Sequence, residues 1–282
     1  LSEALLQHEP GSKAVTVAAE ATSAIVLGGR GGEVFWLDSA RCDWVTSPYY
    51  AAEVPEWIAR SNRERYNLSY ISGEWRTLLE RGRYLNTRNW DIVLTGKSRK
   101  DKDEPGEGRL KLTSDYDKML YTPAGNTAVL GFAKQAIAQF KLGDDATPDL
   151  LNICLDTPRR ISEAYGPESV EVEDMYYRLD RDLADFLTFV FAQVRNGEVL
   201  VVFTSDHGEY AGSHGLRGKG AAVYEESIKV PLYLHDPSGR LTPKPGSTRS
   251  QLTSSVDIAP MLMTLATGGS SWRGDDRYSY LA

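Results

Sequence analysis

Hydrophobic and polar positions alternate most regularly in the second half of the chain, where they predict strands and helices in turn. Residues 149–155, 199–203 and 230–234 are almost continuously apolar, which is typical of buried strands. Between the first two, residues 170–195 predict a long amphipathic helix, and residues 257–266 predict a last helix capped by Asp257. The apolar stripe of the long helix consists of Met175, Leu179, Leu183, Phe186, Leu187, Val190 and Val194.

This order of elements predicts the fold class. Strand, helix and strand, with apolar strands, indicate a parallel sheet covered on both faces. We therefore predict an α/β protein with a mostly parallel sheet sandwiched by helices. Because ligands of such sheets bind beyond the carboxyl ends of the strands, the residues after each predicted strand are candidates for chemistry.

The start of the chain carries weaker signals. The first 20 residues show little pattern. Residues 23–27 predict a short buried strand, closed by the glycine-rich residues 28–32. Residues 33–37 and 44–46 flank a polar turn and predict a hairpin.

Three further elements are predicted before the regular second half. Residues 48–65 predict a helix despite Pro55, and the charged stretch 97–112 predicts an exposed loop with some flexibility. A second helix is predicted to be capped by Asn126 and stopped by Gly143.

The composition is that of a globular protein and excludes several classes. The 282 residues are 41% hydrophobic and 25% charged, so a sizeable core is expected. The net charge of -7 comes with no concentrated basic patch, so we expect no nucleic acid partner. Two cysteines, Cys42 and Cys154, cannot build a disulfide scaffold or a cysteine zinc site. No apolar run of about 18 residues occurs, so we expect no membrane span.

The segment 199–209 (VLVVFTSDHGE) carries the strongest chemical signal. A predicted buried strand ends at Thr204, and Asp206 and His207 follow at its carboxyl end. A carboxylate and an imidazole side by side can both bind one divalent cation, while Gly208 lets the backbone turn away. Taken alone, the same pair also fits a surface Asp-His turn.

The residues that follow resemble the sulfatase family. The shared motifs are Ser-Asp-His-Gly-Glu, a Gly-x-His-Gly loop, Gly-Lys, Tyr-Glu-Glu and Val-Pro-Leu, here at residues 205–209, 212–215, 218–219, 224–226 and 230–232. The resemblance implies that Asp206 and His207 bind one divalent cation (Ca, Mg, Mn or Zn). It implies that Lys219 grips a sulfate or phosphate oxygen, where an ammonium group would neutralise transition-state charge. Taken alone, Lys219 also fits a solvated loop lysine. His214 is interpreted as loop structure or as support beside the substrate.

The middle of the chain resembles the monomeric bacterial alkaline phosphatases that use a threonine nucleophile. The match covers residues 33–50, 121–132 and 149–187 and is closest at 164–174 (AYGPESVEVED). Both families belong to the alkaline phosphatase superfamily. The resemblance implies an alkaline phosphatase-like fold, incomplete at the amino end, with residues 1–282 as its carboxyl-terminal portion. Within it, residues 23–122 are expected to form an insertion or cap-like segment and residues 123–282 the core sheet with the metal-site strand.

The chain departs from the phosphatase pattern at the second metal and at the phosphate clamp. The positions of the second zinc ligands hold Arg159 and Glu163, and arginine cannot bind a cation. Arg159 could instead bind a substrate oxygen, or be a surface arginine. The phosphatases bind phosphate with a Lys-x-Arg pair, and the corresponding positions here hold Glu20 and Thr22.

No nucleophile motif of either family occurs. In particular, neither Cys42 nor Cys154 lies in the Cys-x-Pro-x-Arg motif of the sulfatases. Either the segment precedes Leu1, or the chain is a degenerate homologue. The leading hypothesis is a metal-dependent hydrolase of a small-molecule sulfate or phosphate ester. The alternatives are a pseudoenzyme with a binding or assembly role and a composite of two families. The oligomeric state is open. The compartment is also open, with the periplasm or secretion expected by analogy and the cytoplasm as the alternative.

Overall fold

The computed structural model describes residues 1–71, 75–85, 112–194, 199–210, 213–216, 218–220, 222–239, 241, 244 and 246–274. The strands in this part of the chain form two separate sheets. They are β1 (Ala14–Ala18), β2 (Glu33–Leu37), β3 (Trp44–Val45), β4 (Leu150–Cys154), β5 (Val201–Thr204) and β6 (Leu232–His235).

Helices surround the strands, and none in the described part of the chain is long and apolar enough to cross a membrane. They are α1 (Ser2–His8), α2 (Ala21–Gly28), α3 (Glu56–Arg63), α4 (Asp115–Leu120), α5 (Ala124–Phe140), α6 (Thr157–Tyr165), α7 (Val170–Gln193), α8 (Glu225–Ile228) and α9 (Ile258–Ala266).

A four-stranded, mainly parallel sheet organises the molecule, with strand order β3-β2-β1-β4. β1 is parallel to both β2 and β4, and the predicted hairpin of β2 and β3 is confirmed. Successive side chains of β1 point to opposite faces of the sheet. Val17 joins a core that includes Met175 of α7, whereas Ala18 packs against Ala24 of α2. The predicted α/β class, a mostly parallel sheet between helices, is therefore confirmed.

The strand predicted at residues 23–27 is wrong, because these residues lie in helix α2. A run of four apolar residues, as at 24–27, fits a strand and a helix equally well by pattern. Here β1 already occupies the place beside β2, and the run is largely exposed, with Val26 at 79%. The central strand is instead β1, within the first 20 residues that showed little pattern.

Two predicted helix boundaries are wrong, and proline explains both. α3 begins directly after Pro55, so residues 48–54 are not part of it. α5 begins directly after Pro123, and Asn126 is a buried residue of its first turn rather than its cap. Proline suits a helix start because its missing N–H has no partner to lose there. At the other end, left-handed Lys141 closes α5 before Gly143 is reached.

The long helix and the last helix are confirmed as α7 and α9. The Ser169 side chain caps α7 by accepting a hydrogen bond from the Val172 N–H. The predicted cap Asp257 is the residue before α9, but its side chain makes no capping hydrogen bond to that helix. The side chain instead accepts from the Ser254 N–H, in a capping box of the preceding turn. Of the predicted loop 97–112, residues 97–111 lie outside the described residues, and the division of the chain into 23–122 and 123–282 stays a prediction.

β5 and β6 lie where strands were predicted, but their environment differs from the prediction. β5 pairs only with β6 among the described strands, antiparallel, with Val202 opposite Leu234. Neither strand is buried, and Phe203 is 39% exposed. The expectation of a buried parallel strand at 199–203 is therefore wrong for this structure. β5 is antiparallel to β6, and it stays exposed because it has a described neighbour on one side only.

Asp174 of α7 anchors the segment 75–85 to the helical layer. Its buried carboxylate accepts hydrogen bonds from Trp75 Nε1, the Leu78 N–H and the Tyr84 hydroxyl, each at 2.6 Å, and from Arg178 Nε at 2.7 Å. A buried carboxylate is tolerated when several donors surround it in this way. Asp174 thus adds a polar link between this segment and α7 to the contact of the Tyr84 ring with Tyr177.

We predict that Asp174→Ala lowers the free energy of unfolding by about 3–5 kcal/mol, because it leaves buried donors without an acceptor. Chemical denaturation followed by circular dichroism measures the change. The matched control is Asp180→Ala on the exposed side of the same helix, which should change stability by less than about 0.5 kcal/mol. Equal effects of the two substitutions would contradict the anchoring role.

Candidate active site

The carboxyl ends of β1 and β4 are joined by a buried carboxylate, Asp156. It lies two residues after the end of β4 and accepts the N–H groups of Ala19 and Glu20, both at 3.0 Å, and the Ser23 hydroxyl. Burial raises the pKa of Asp156. These contacts fix the turn from β1 into α2, so Glu20 is held at the edge of the sheet where ligands of parallel sheets bind.

Glu20 is the centre of an ion-pair cluster at this edge. Arg160 binds it with two parallel hydrogen bonds, Nε to Oε1 at 2.7 Å and Nη2 to Oε2 at 2.8 Å. Arg159 donates to the same carboxylate at 2.8 Å and to Glu163 at 3.2 Å. The hydrogen bonds that Arg160 donates to Glu20 raise the pKa of Arg160. Two guanidinium groups thus face two carboxylates, and the cluster is electrically neutral.

The second group of site residues follows β5. The Asp206 carboxylate lies 3.1 Å from His207 Nε2, and Lys219 Nζ contacts the same imidazole nitrogen. His207 Nδ1 lies 2.8 Å from the Gly208 carbonyl oxygen. A carbonyl oxygen only accepts, so this contact assigns Nδ1 as a protonated nitrogen. Nε2 faces both a carboxylate, which only accepts, and an ammonium group, which only donates. The structure therefore brings together three of the predicted site residues, and Asp206 is 80% exposed.

Gly208 is required by a close approach of the backbone. A Cβ atom at this position would lie 2.0 Å from the Glu226 carbonyl oxygen. The Gly208 N–H also donates to the Ser227 carbonyl oxygen at 2.8 Å. The contact packs the start of the loop onto α8. Gly208 therefore sets the direction in which the loop leaves Asp206 and His207.

His214 is held away from that trio. Its ring stacks on Tyr224 at 3.9 Å between centroids, and its Nε2 lies 3.3 Å from the Glu226 carboxylate. Inside the loop, Tyr210 is buried and donates its hydroxyl to the Ala222 carbonyl oxygen. These contacts agree with the interpretation of His214 as loop structure. A direct role beside the substrate stays a prediction.

Cys154, the last residue of β4, has a thiol with a raised pKa. The pKa is raised to about 12, first by burial and further by the charges of Asp156 and Asp206.

The residues after β5 fit part of a divalent cation site. A carboxylate and a neutral imidazole are suitable donors, and Asp206 and His207 converge with Nε2 available as a ligand atom. Within the ranges that the structure describes, no group of three or more His, Cys, Asp or Glu side chains could hold a metal ion. Two donors are present, and a complete coordination shell needs more.

Comparison with known proteins gives the family. A family model described as Sulfatase matches residues 134–269. The calcium-transporting ATPase of Myroides odoratus is 32% identical over 203 residues, which cover 70% of this chain and 37% of that protein. Alkaline phosphatase PafA of Elizabethkingia meningoseptica is 33% identical over 206 residues, again 70% of this chain and 37% of the relative. A crystal structure of a PafA variant has a TM-score of 0.63 at 31% identity, covering 74% of this chain and 41% of that one.

The chain belongs to the alkaline phosphatase superfamily and combines sulfatase-like with phosphatase-like features. It spans 37% of the length of the curated relatives described above. Members of the sulfatase and alkaline phosphatase families are metalloenzymes.

Sequence reasoning missed Asp156 and Arg160. Asp156 directly follows the predicted strand 149–155, so its position at a strand end was the signal that could have found it. Arg160 could not be found this way. Its importance depends on Glu20, which lies 140 positions away in the chain.

We predict that Cys154 reacts slowly with iodoacetamide in the folded protein. A pKa near 12 instead of 9.0 leaves about 1 thiol in 10⁴ ionised at pH 8, so alkylation should be about 1000-fold slower than in the unfolded chain. Mass spectrometry of timed samples, with and without guanidinium chloride, gives the two rates. Cys42 has a pKa of about 12 from burial and serves as an internal reference. Alkylation of folded Cys154 at the unfolded rate would contradict this environment.

Proposed function

We propose that this chain supplies the cation-binding and anion-binding residues of a metal-dependent ester hydrolase. The proposed substrates are small-molecule sulfate esters or, less favoured, phosphate esters. The observation that carries the proposal is the convergence of the Asp206 carboxylate, His207 Nε2 and the Lys219 ammonium group after β5. These are the donor and charge types that bind a divalent cation and a tetrahedral anion side by side.

Each of the three residues has a distinct proposed role. Asp206 and His207 hold one divalent cation, which supplies Lewis-acid polarisation of the ester and activation of a nucleophile. Lys219 stabilises negative charge that develops on the ester oxygens, because an ammonium group offsets that charge. Its position fits this role, since it lies against the imidazole of His207. The contact between His207 Nδ1 and the Gly208 carbonyl oxygen orients the ring, so that Nε2 faces Asp206 and Lys219.

The Glu20 cluster supports chemistry with a single cation. Arg159 stands where the phosphatase pattern has a second metal ligand, and it is paired with Glu20 and Glu163. Arg159 stays a proposed contact of the substrate anion, but an anion must compete with these two carboxylates for it. Sulfate monoesters carry one negative charge fewer than ionised phosphate monoesters, so a site with less positive charge favours sulfate.

The proposed nucleophile comes from residues outside this chain. Cys42 and Cys154 are poor candidates, because pKa values of about 12 leave almost no thiolate at neutral pH. Cys42 is also buried. The cation site would likewise be completed by ligands outside the described residues.

A pseudoenzyme with a binding or assembly role is the second candidate. The neutral Glu20 cluster favours it, since that edge presents ion pairs already satisfied by each other rather than free charge. Cation binding does not separate the two candidates, because both leave Asp206 and His207 able to hold a cation. They differ in whether the protein turns over an ester.

Hydrolysis of 4-nitrophenyl sulfate and 4-nitrophenyl phosphate by the longest form of the protein distinguishes the two. We expect turnover of the sulfate ester to exceed that of the phosphate ester. We also expect it to stop on treatment with EDTA and to return with Ca²⁺, Mg²⁺, Mn²⁺ or Zn²⁺. Cation binding without turnover of either ester would favour the pseudoenzyme, and turnover insensitive to EDTA would contradict metal dependence.

Lys219→Ala should lower kcat/KM by about 10²–10³-fold, equivalent to about 2.7–4 kcal/mol, as when one oxyanion donor is lost. The matched control is Lys229→Ala, which removes an exposed lysine that pairs with Glu225 and should leave kcat/KM unchanged. Both variants are assayed with 4-nitrophenyl sulfate. Equal rates for Lys219→Ala and the unmodified protein would remove Lys219 from the site.

Asp206→Asn should weaken cation binding, because an amide oxygen carries no charge to offset that of the ion. Metal content after equilibrium dialysis against Zn²⁺ or Mn²⁺ is the measurement. Glu225→Gln, at an exposed carboxylate of α8, is the control that changes net charge equally. If both variants retain as much metal as the unmodified chain, the ligand assignment is wrong.

A further inference from the structure

Two neighbouring arginine side chains in the first turn of α6 are both bound to one carboxylate from a distant part of the chain. Arg159 and Arg160 are the third and fourth residues of α6, whereas Glu20 lies directly before α2. Arg160 binds Glu20 through Nε at 2.7 Å and Nη2 at 2.8 Å, and Arg159 Nη2 binds the same carboxylate at 2.8 Å. Three charge-assisted hydrogen bonds therefore converge on one pair of oxygens.

The donors around Glu20 have the geometry of an oxyanion site. The planar fork of an arginine matches two oxygens of a carboxylate, a sulfate or a phosphate. Arg160 presents this fork to Glu20, and Arg159 adds a further donor to Oε1. Glu20 follows β1 and the two arginines follow β4, so the donors lie at the edge where ligands of parallel sheets bind.

Glu20 is the inner carboxylate of the cluster and Glu163 the outer one. The side chain of Glu20 is 13% exposed, and that of Glu163 is 50% exposed. Glu163 lies 3.2 Å from Arg159 Nη1 but 3.8 Å from Arg160 Nη1. Exposed ion pairs of this kind contribute little free energy. Glu163 can therefore turn into solvent, whereas Glu20 takes up both fork donors of Arg160 and excludes another anion from them.

The frame around these donors does not depend on the Glu20 side chain. The backbone N–H groups of Ala19 and Glu20 are held by the Asp156 carboxylate, both at 3.0 Å. Arg160 has a second contact, because its guanidinium carbon lies 5.9 Å from the centre of the Tyr121 ring in a cation–π arrangement. Removal of the Glu20 carboxylate should therefore leave the guanidinium donors in place.

We infer that Arg159 and Arg160 form a site for a doubly charged tetrahedral oxyanion, such as sulfate or phosphate, and that Glu20 occupies this site from within the chain. With Glu163 turned into solvent, the two guanidinium charges match the two charges of the anion. While Glu20 is in place, its carboxylate competes with any such anion for the same donors. Glu20 thus sets the affinity of this edge for oxyanions. The inference concerns a free anion and does not rest on the proposed hydrolysis.

Isothermal titration calorimetry with sodium sulfate tests the inference on the longest form of the protein. Sodium chloride holds the ionic strength constant, so that screening is the same throughout. Glu20→Ala should bind sulfate about 10-fold more tightly than the unmodified protein, or better, because the competing carboxylate is gone. Glu163→Ala removes the same charge from the exposed side and should change the affinity by less than about 3-fold.

A second substitution locates the bound anion. In the Glu20→Ala protein, the additional change Arg160→Ala should return the sulfate affinity to that of the unmodified protein, because it removes the fork that holds the anion. The matched control is Lys229→Ala in the same background, which removes an exposed lysine that pairs with Glu225. This control should keep the gain in affinity.

Circular dichroism establishes whether each variant is folded. If Glu20→Ala is unfolded, Glu20→Gln takes its place, because the amide keeps the shape of the side chain and removes its charge. The same gain over the unmodified protein is then required. Failure of both variants to fold in sulfate buffer would contradict the inference, since the frame is inferred to persist without the carboxylate.

Three binding results would also overturn it. They are sulfate binding by the unmodified protein as tight as by Glu20→Ala, a folded Glu20→Ala protein with no gain, and a gain that persists when Arg160 is also replaced. All are read from anion binding alone. A protein that binds sulfate as expected but hydrolyses no ester would refute only the proposed function.

Discussion

The structure depends on the placement of β1 between β2 and β4, parallel to both and buried at every position. Parallel pairing aligns the carboxyl ends of these strands at one edge of the sheet. Asp156 then closes that edge, because it accepts backbone N–H groups from the residues after β1 while belonging to the turn after β4. Without this carboxylate, the start of α2 and the Glu20 cluster would lose their common support.

Two groups of charges behave differently. Glu20, Arg159, Arg160 and Glu163 satisfy one another and sum to zero charge, so they hold the edge of the sheet in order. Asp206 is largely exposed, and among the described residues the nearby ammonium group of Lys219 contacts His207 rather than Asp206. We therefore propose that ligand binding is concentrated after β5.

Long periodic segments and local motifs could be predicted from the sequence. The apolar stripe of α7 repeats over many turns, and the Asp-His-Gly motif is confined to three adjacent residues whose types fit a cation site. The brief β1 could not be recognised, because five residues with two small alanines give little pattern. α2 was mistaken for a strand, because its apolar residues are consecutive. The hydrogen bonds at its start are accepted by Asp156, which is distant in sequence. The Glu20 pairing with Arg160 likewise exists only after folding.

The proposed function depends on a single cation held between Asp206 and His207, with Lys219 facing a bound anion. Anomalous diffraction at the zinc edge, from crystals grown with Zn²⁺ and sulfate, tests this directly. We predict a peak about 2.0–2.2 Å from an Asp206 carboxylate oxygen and from His207 Nε2, with Lys219 Nζ moved from the imidazole to a sulfate oxygen. A zinc peak elsewhere in the molecule, with Lys219 still bound to His207, would contradict it.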